Sequence, residues 1–164
     1  MAALISDIPA YIDYFEGIRK RTLNFLNCVP AERVDFSPHP GKFTFGDLIR
    51  HLASTEAMFV RAVVEGRWAY EGHGPELGGT LGEALEYLRR RHGGAIAQLR
   101  DAPPEVLTVR RPTLQGPPTS GWRLLMAMAE HEIHHRSQVS QYLVALGFEP
   151  PQIFGLRIEQ TERP

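Results

Sequence analysis

The chain has 164 residues, 43% of them hydrophobic and 23% charged, a size and composition that predict a single globular domain over residues 1–164. Its 18 lysines and arginines against 19 acidic residues give a net charge of −1, which argues against general binding to nucleic acid or anionic membranes. It has one cysteine, an acidic N-terminal segment unlike a secretion signal, and no apolar run of about 18 residues that could span a membrane. We therefore expect a cytoplasmic protein without disulfides.

Prolines concentrate in the connections between apolar-patterned stretches, which indicates where helices begin and end. Apolar side chains at three- and four-residue spacing predict four helices, over residues of roughly 8–28, 45–66, 81–100 and 120–146. Thr44 with Asp47 has the spacing of a capping box at the start of the second helix. Thr80 with Glu83 repeats this spacing at the third. Gly147 is suited to the left-handed conformation that follows many helix ends.

Four amphipathic segments with little strand pattern predict an all-α protein, a four-helix bundle. The connections at residues 30–44 and 101–119 are long enough to form crossovers rather than simple hairpins. Two features depart from this pattern. Gly93 and Gly94 lie inside the third helix, where each glycine costs about 1 kcal/mol relative to alanine. Residues 105–111 have local β character without an evident partner strand.

The fourth helix is the most informative segment, because three of the seven histidines lie within residues 131–135. At about 100° per residue, one stripe of this helix contains Leu124, Met128, His131, His135, Val139, Tyr142 and Leu146. His131 and His135 are therefore expected to face the bundle interior one turn apart, where both imidazoles can reach one metal ion. The alternative is two separate core histidines, each with its own hydrogen bonds. His134 lies towards the shoulder of the helix and is a poorer candidate.

A metal site needs a further ligand from a facing helix. His51, at the edge of the apolar stripe of the second helix, is the candidate. Three histidines with an open coordination position are typical of a catalytic metal centre. Asp47, one turn before His51, is expected to cap its helix and is less favoured as a hydrogen-bond partner of the imidazole. The remaining histidines outside the fourth helix are interpreted as surface residues: His39, His73 and His92.

Residues 131–135 also match H-E-x-x-H, the zinc metallopeptidase signature in which Glu132 would activate water. The longer form of that signature does not continue, because Gln138 stands where a glycine is expected and Gln141 where a third histidine is expected. A metallopeptidase is therefore a less favoured alternative.

A pattern over nearly the whole chain joins three segments: F-S-P-H-P-G-K-F-T-F-G-D-L-I-R-H-L-A (36–53), A-E-H-E-I-H-H-R-S-Q-V-S-Q-Y-L (129–143) and L-G-F-E-P-P-Q-I-F-G-L (146–156). This pattern resembles the DinB/YfiT-like family of bacterial four-helix bundles, also called DinB-like or damage-inducible proteins. One departure is Ser137, where many members have glycine. Because serine is also small, this departure changes the expected site little.

The resemblance implies that the metal-binding histidines of the family correspond to His51, His131 and His135. It implies a homodimer of bundles, each with a divalent metal ion, most commonly zinc or nickel. Some relatives are thiol-dependent transferases or isomerases that use low-molecular-weight thiols such as bacillithiol, mycothiol or glutathione. Many members have no established activity.

Three functions remain open at this point. The favoured one is a metal-dependent enzyme acting on a small molecule, a thiol S-transferase or a related hydrolase. The others are a metal-binding stress or interaction module without catalysis and, last, the metallopeptidase. No protein nucleophile is evident, since Cys28 is interpreted as a small hydrophobe at a helix end and Ser137 has no base beside it.

Several charged and polar residues are given lesser roles. Arg136 and Gln138 flank His135, where they can orient a ligand, contact a substrate or simply cover the edge of the bundle. The basic runs at 19–21 and 89–91 are balanced by nearby acids, so they are interpreted as solvated surfaces rather than nucleic-acid contacts.

Overall fold

The computed structural model describes residues 5–155 and 157–161, so the first residues of the acidic N-terminal segment and the last of the third family-like segment lie outside it. Four helices make up most of the described chain: α1 (Ile8–Leu26), α2 (Phe45–Glu65), α3 (Leu81–Arg100) and α4 (Gly121–Ala145). Short 3₁₀ helices lie at Ala31–Arg33, Pro75–Leu77, Pro104–Leu107 and Ile158–Gln160. The prediction of an all-α four-helix bundle is confirmed, and each helix ends within two residues of its predicted bounds.

The helix ends follow the local signals in the sequence. The Thr44 hydroxyl accepts the Asp47 N–H at 3.0 Å, and the Asp47 carboxylate accepts the Thr44 N–H at 3.0 Å. Thr80 and Glu83 exchange the same two hydrogen bonds, so both predicted capping boxes are confirmed. Gly147 has a φ of +84° just beyond the end of α4, the left-handed conformation predicted for it.

The prediction for residues 105–111 is wrong in part. The first of these residues belong to the 3₁₀ helix Pro104–Leu107. Strand β1 (Arg110–Arg111) has a partner, β2 (Thr119–Ser120), to which it pairs antiparallel. Two-residue strands are too short to show an alternating pattern, and β2 lies directly before α4, so no sequence period marks the pair.

The helices do not follow one another around the bundle. α1 lies beside α3 and α4, and α2 lies beside the same two helices, so α1 and α2 face each other across the core. The α1–α2 and α3–α4 connections therefore cross an end of the bundle, whereas α2 and α3 are neighbours. The predicted crossovers are confirmed.

Two apolar clusters fill the two ends of the bundle, and a polar layer separates them. Along α4, one cluster takes residues 124–129 and the other takes residues 139–143. Buried polar residues of α1, α2 and α4 lie at the level between these clusters: Arg19, Thr22, Ser54, Thr55, Glu56, Glu132, His135 and Arg136. Within the described residues, no helix has the length and apolar character needed to cross a membrane.

Candidate metal centre

Three imidazoles from two neighbouring helices converge in this polar layer. His51 comes from α2, and His131 and His135 lie one turn apart on α4. The Nε2 atom of His131 is 3.1 Å from that of His51 and 3.0 Å from that of His135. One ring nitrogen from each residue lies within 4.8 Å of the other two. The structure thus brings together the three residues that the sequence singled out.

Hydrogen bonds at the Nδ1 atoms of two of the rings determine which nitrogens face one another. His135 Nδ1 donates to the side-chain oxygen of Gln138 at 2.6 Å. His51 Nδ1 lies 2.8 Å from the Tyr70 hydroxyl, which in turn lies 2.7 Å from Nδ1 of His73. We assign His51 as the donor to Tyr70 and Tyr70 as the donor to His73. This assignment leaves a lone pair on Nε2 of both His51 and His135.

The ring of His131 also has a hydrogen-bond partner at Nδ1, which leaves its Nε2 atom free to face the other two. Its Nδ1 atom lies 3.4 Å from Oγ1 of Thr55. The Thr55 hydroxyl donates to the His51 backbone carbonyl at 2.7 Å, so its oxygen is left to accept from the Nδ1–H of His131. All three Nε2 lone pairs then point into one small space. Neutral imidazoles in this arrangement repel one another unless a cation lies between them.

The electrostatics of the cluster keep the imidazoles neutral. Burial, and then the neighbouring His135 and His73, lower the pKa of His51 to about 4. Burial, and then His135 and His51, lower the pKa of His131 to about 3. Burial also lowers the pKa of His135, and its hydrogen bond with Gln138 offsets part of that change. At neutral pH the cluster therefore presents the unprotonated form that a metal ion requires.

The donor set fits a divalent transition metal. Nitrogen ligands bound to a tetrahedral zinc ion at about 2.0–2.1 Å are about 3.3 Å apart. The Nε2 atom of His131 is at a similar distance from those of His51 and His135, 3.1 and 3.0 Å. Imidazole suits zinc and nickel equally well, so the donor atoms do not select one of them. Three protein ligands leave at least one coordination position for another molecule.

Aromatic rings flank the cluster, and a cavity lies beside one of its imidazoles. The Phe43 ring centroid is 5.1 Å from that of His51, and the Phe59 ring centroid is 6.0 Å from that of His131. Beside His135 lies a cavity of about 470 Å³, a volume within the usual range for small-molecule sites. Its polar lining includes His39, Lys42, Gln138 and Gln141.

The sequence profile of the DinB superfamily matches residues 14–139, a span that covers more than half of the chain and includes all three histidines. The chain belongs to the DinB superfamily. A DinB-like protein from Bacillus subtilis has a similar structure, with a TM-score of 0.69, 18% identity, and coverage of 88% of this chain and 97% of its own. A DinB-like protein from Bacillus cereus has a TM-score of 0.75, 17% identity, and coverage of 90% and 97%. These two likenesses show a shared fold. No curated protein matches the sequence.

Two of the histidines that were interpreted as surface residues of this DinB-superfamily protein are not fully exposed. His73 is half-buried, with its ring 4.5 Å from that of Phe43, and it holds the hydroxyl of Tyr70. His92 is half-buried in α3 and is hydrogen-bonded on both ring nitrogens. His39 is exposed, as expected. The interpretation failed for His73 and His92 because both contact residues that are distant in sequence.

Glu132, the glutamate of the H-E-x-x-H match, has a structural partner. Both of its carboxylate oxygens accept from Arg19, Oε1 from Nε and Oε2 from Nη2, each at 2.9 Å. Arg19 also donates to Glu56 at 2.7 Å, and all three side chains are buried. Glu132 is thus committed to an ion pair rather than free to take a proton from water, which speaks against the metallopeptidase. The interpretation of Arg19 as part of a solvated basic run is wrong.

This ion pair extends to all four helices of the DinB bundle. The other carboxylate oxygen of Glu56 lies 2.7 Å from Nδ1 of His92, and Nε2 of His92 lies 3.1 Å from Glu16. Arg19 and Glu16 belong to α1, Glu56 to α2, His92 to α3 and Glu132 to α4. We call these five residues the charged network.

Other assignments changed or gained detail. Asp47 completes the cap of α2 and also accepts from Arg50 at 2.9 Å, so the capping role is confirmed. The partner of His51 is instead Tyr70, which lies in the irregular segment between α2 and α3, where no sequence period marks it. Thr55, whose hydroxyl lies beside Nδ1 of His131, follows His51 by four residues. This spacing puts Thr55 and His51 on one face of α2, so the sequence did contain a signal for Thr55. Cys28 is exposed rather than packed as a small hydrophobe.

Proposed function

We propose that His51, His131 and His135 hold one divalent metal ion, zinc or nickel. The observation that carries the proposal is the arrangement of the three Nε2 atoms, which face one another while each Nδ1 has a hydrogen-bond acceptor. Family membership and the helical spacing of the two α4 histidines support it.

We further propose that the protein is a metal-dependent enzyme, a thiol S-transferase that acts on a small molecule. A bound divalent cation supplies positive charge that keeps a thiol ionised at neutral pH. The cavity beside His135 gives room for that thiol, and the exposed ammonium group of Lys42 on its wall attracts an anionic substrate. Phe43 and Phe59 limit the access of water to the imidazoles.

The first experiment measures metal content and affinity in protein purified without a histidine tag. We expect about one zinc or nickel ion per chain, and His51→Ala should weaken binding by about 100-fold or more because one of three ligands is lost. His39→Ala is the matched control, since this exposed histidine lines the same cavity and should leave the affinity unchanged. A metal content near zero that neither ion restores contradicts the metal site.

The second experiment separates an enzyme from a metal-binding module without catalysis. The metal-loaded protein is incubated with monochlorobimane and, in turn, bacillithiol, mycothiol and glutathione. In the expected reaction a carbon–sulfur bond forms, the carbon–chlorine bond breaks and chloride leaves. We expect conjugation that requires the metal and is lost in His51→Ala. If no thiol reacts in a metal-dependent manner while the metal still binds, the module without catalysis is the better description.

The homodimer and the cytoplasmic location stay predictions. Sedimentation velocity of the metal-loaded protein tests the first, and localisation of the tagged protein in its host cell tests the second.

A further inference from the structure

A second cavity, of about 430 Å³, lies between α1, α4 and residues 150–153. It shares no lining residue with the cavity beside His135. Its walls are apolar at Phe25, Ile133 and Ile153 and polar at Arg136, Ser140 and Gln152. The volume is that of an ordinary small-molecule site.

One nitrogen of the guanidinium group on the wall of this cavity has no partner among the described residues. Arg136 is only 6% exposed, and its Nη1 atom has no hydrogen-bond partner in the part of the chain that the structure describes. The acidic residue one turn earlier, Glu132, has both carboxylate oxygens bound by Arg19. Burial lowers the pKa of Arg136, the nearby charge of Arg21 lowers it further, and the charge of Glu132 raises it in part. No carboxylate among the described residues is hydrogen-bonded to Arg136.

An arginine side chain remains protonated in proteins, so the charge of Arg136 persists in this setting. A buried charge without a partner is costly, because the lost hydration is not replaced. A bound anion removes that cost. The planar guanidinium group matches a carboxylate or a phosphate, each of which can accept two parallel hydrogen bonds.

We propose that this cavity is a binding site for a small amphipathic anion whose carboxylate or phosphate group pairs with Arg136. The hydroxyl groups of Ser137 and Ser140 and the amide of Gln152 line the same space and can donate to the remaining oxygens. The apolar body of the ligand packs against Phe25 and Ile133. The site does not depend on a metal ion or on the proposed transferase activity.

The test uses the full chain and three probes of similar shape: benzoate, phenyl phosphate and neutral benzamide. Calorimetry and thermal unfolding are measured at constant ionic strength, because screening alters surface charge effects. We expect at least one anion to bind and raise the unfolding temperature, with benzamide having no effect. Benzoate and phenyl phosphate distinguish a carboxylate site from a phosphate site.

Arg136→Met keeps an unbranched side chain, although a shorter one, and removes its charge. We expect this variant to lose the affinity for the anion by about tenfold or more, and to unfold at a higher temperature than the parent without ligand. Arg100→Met, a change at an exposed position on α3, is the control and should bind as the parent does. His51→Ala should also retain the anion, which separates this cavity from the metal centre.

Two results would overturn the proposal. One is equal anion binding by the parent and Arg136→Met. The other is no binding of either anion by the parent. If, in that second case, the parent is a dimer that Arg136→Met converts to a monomer, the guanidinium is assigned to a carboxylate of a second copy of the chain.

Discussion

Tyr70 is one of the residues outside the histidine cluster that hold its rings in place. Its hydroxyl joins Nδ1 of His51 to Nδ1 of His73, and its side chain is 43% exposed in a segment without regular structure. Hydrogen-bond partners of this kind fix the tautomer and the orientation of a metal-binding imidazole. Metal affinity should therefore depend on a residue that does not touch the metal.

We predict that Tyr70→Phe weakens zinc and nickel binding by about 10- to 100-fold, because Nδ1 of His51 loses its acceptor while the ring stays in place. Competition with a chromophoric chelator gives the affinity, and the absorption of the cobalt-substituted protein reports the coordination geometry. Tyr14→Phe is the control, since Tyr14 is equally exposed, at 48%. Equal affinities for the parent and Tyr70→Phe would remove Tyr70 from the centre.

Glu132 provides the second test at this scale. Breaking a buried ion pair by removing one partner costs about 3–5 kcal/mol, because it leaves an uncompensated charge. We predict that Glu132→Gln lowers the free energy of unfolding by less than that range, because Arg19 loses one carboxylate but keeps its ion pair with Glu56. Urea unfolding of the metal-free protein measures this change. Metal affinity should stay within about threefold of the parent value, whereas a large loss of metal with normal stability would assign Glu132 to the site.

At the scale of the elements, two helical glycines have opposite roles. Gly121 begins α4 directly beneath the carbonyl of Val106, and a Cβ atom at this position would overlap that oxygen. Gly93, in the middle of α3, is exposed and has open space where a Cβ would lie. The first glycine allows the 3₁₀ helix Pro104–Leu107 to approach α4, and the second adds only backbone freedom to the unfolded chain.

We therefore predict opposite signs for the same substitution. Gly121→Ala should lower the free energy of unfolding by about 1–3 kcal/mol through overpacking against a backbone group. Gly93→Ala should raise it by about 0.5–1 kcal/mol, since alanine is the better helix former and meets nothing. Urea unfolding of the two variants side by side measures both changes. Destabilisation by Gly93→Ala would mean that this face of α3 has a contact that the single chain lacks.

At the scale of the whole molecule, the charged network links the four helices at the level of the metal centre. Burial lowers the pKa of His92, but the hydrogen bond and the charge of Glu56 outweigh it, with Arg19 lowering the pKa and Glu16 raising it. The net result is a raised pKa in the folded protein. His92 therefore stabilises the fold fully below its unfolded pKa of about 6.5, and this contribution disappears as the pH rises through the folded value.

We predict that His92→Gln has a lower free energy of unfolding than the parent. This deficit should be largest near pH 6 and should shrink by about pH 9. Thermal or urea unfolding of the two metal-free proteins at several pH values measures it, and the titration of the cluster histidines cancels in the difference. His39→Gln, at an exposed site, should show no such trend. A difference between parent and His92→Gln that grows with pH would have the wrong sign for a charged His92.

The sequence alone determined the features that depend on local geometry. The helices follow from apolar spacing, and the capping boxes at Thr44 and Thr80 involve residues only three apart, so neighbouring chemistry decides them. His131 and His135 are one turn apart on any helix, which fixes their proximity before the bundle forms. The family resemblance rests on the same local segments and is confirmed.

Only the tertiary structure decided which distant groups meet. The neighbours of Arg19 in the sequence are those expected of a solvent-exposed basic residue. In the structure Arg19 is nevertheless buried against Glu132, 113 positions away. Tyr70 reaches His51 from an irregular segment, and Nη1 of Arg136 has no partner among the described residues, while Glu132 one turn earlier is bound by Arg19. These outcomes depend on how four helices pack, and packing is a property of the whole chain that no short window of sequence contains.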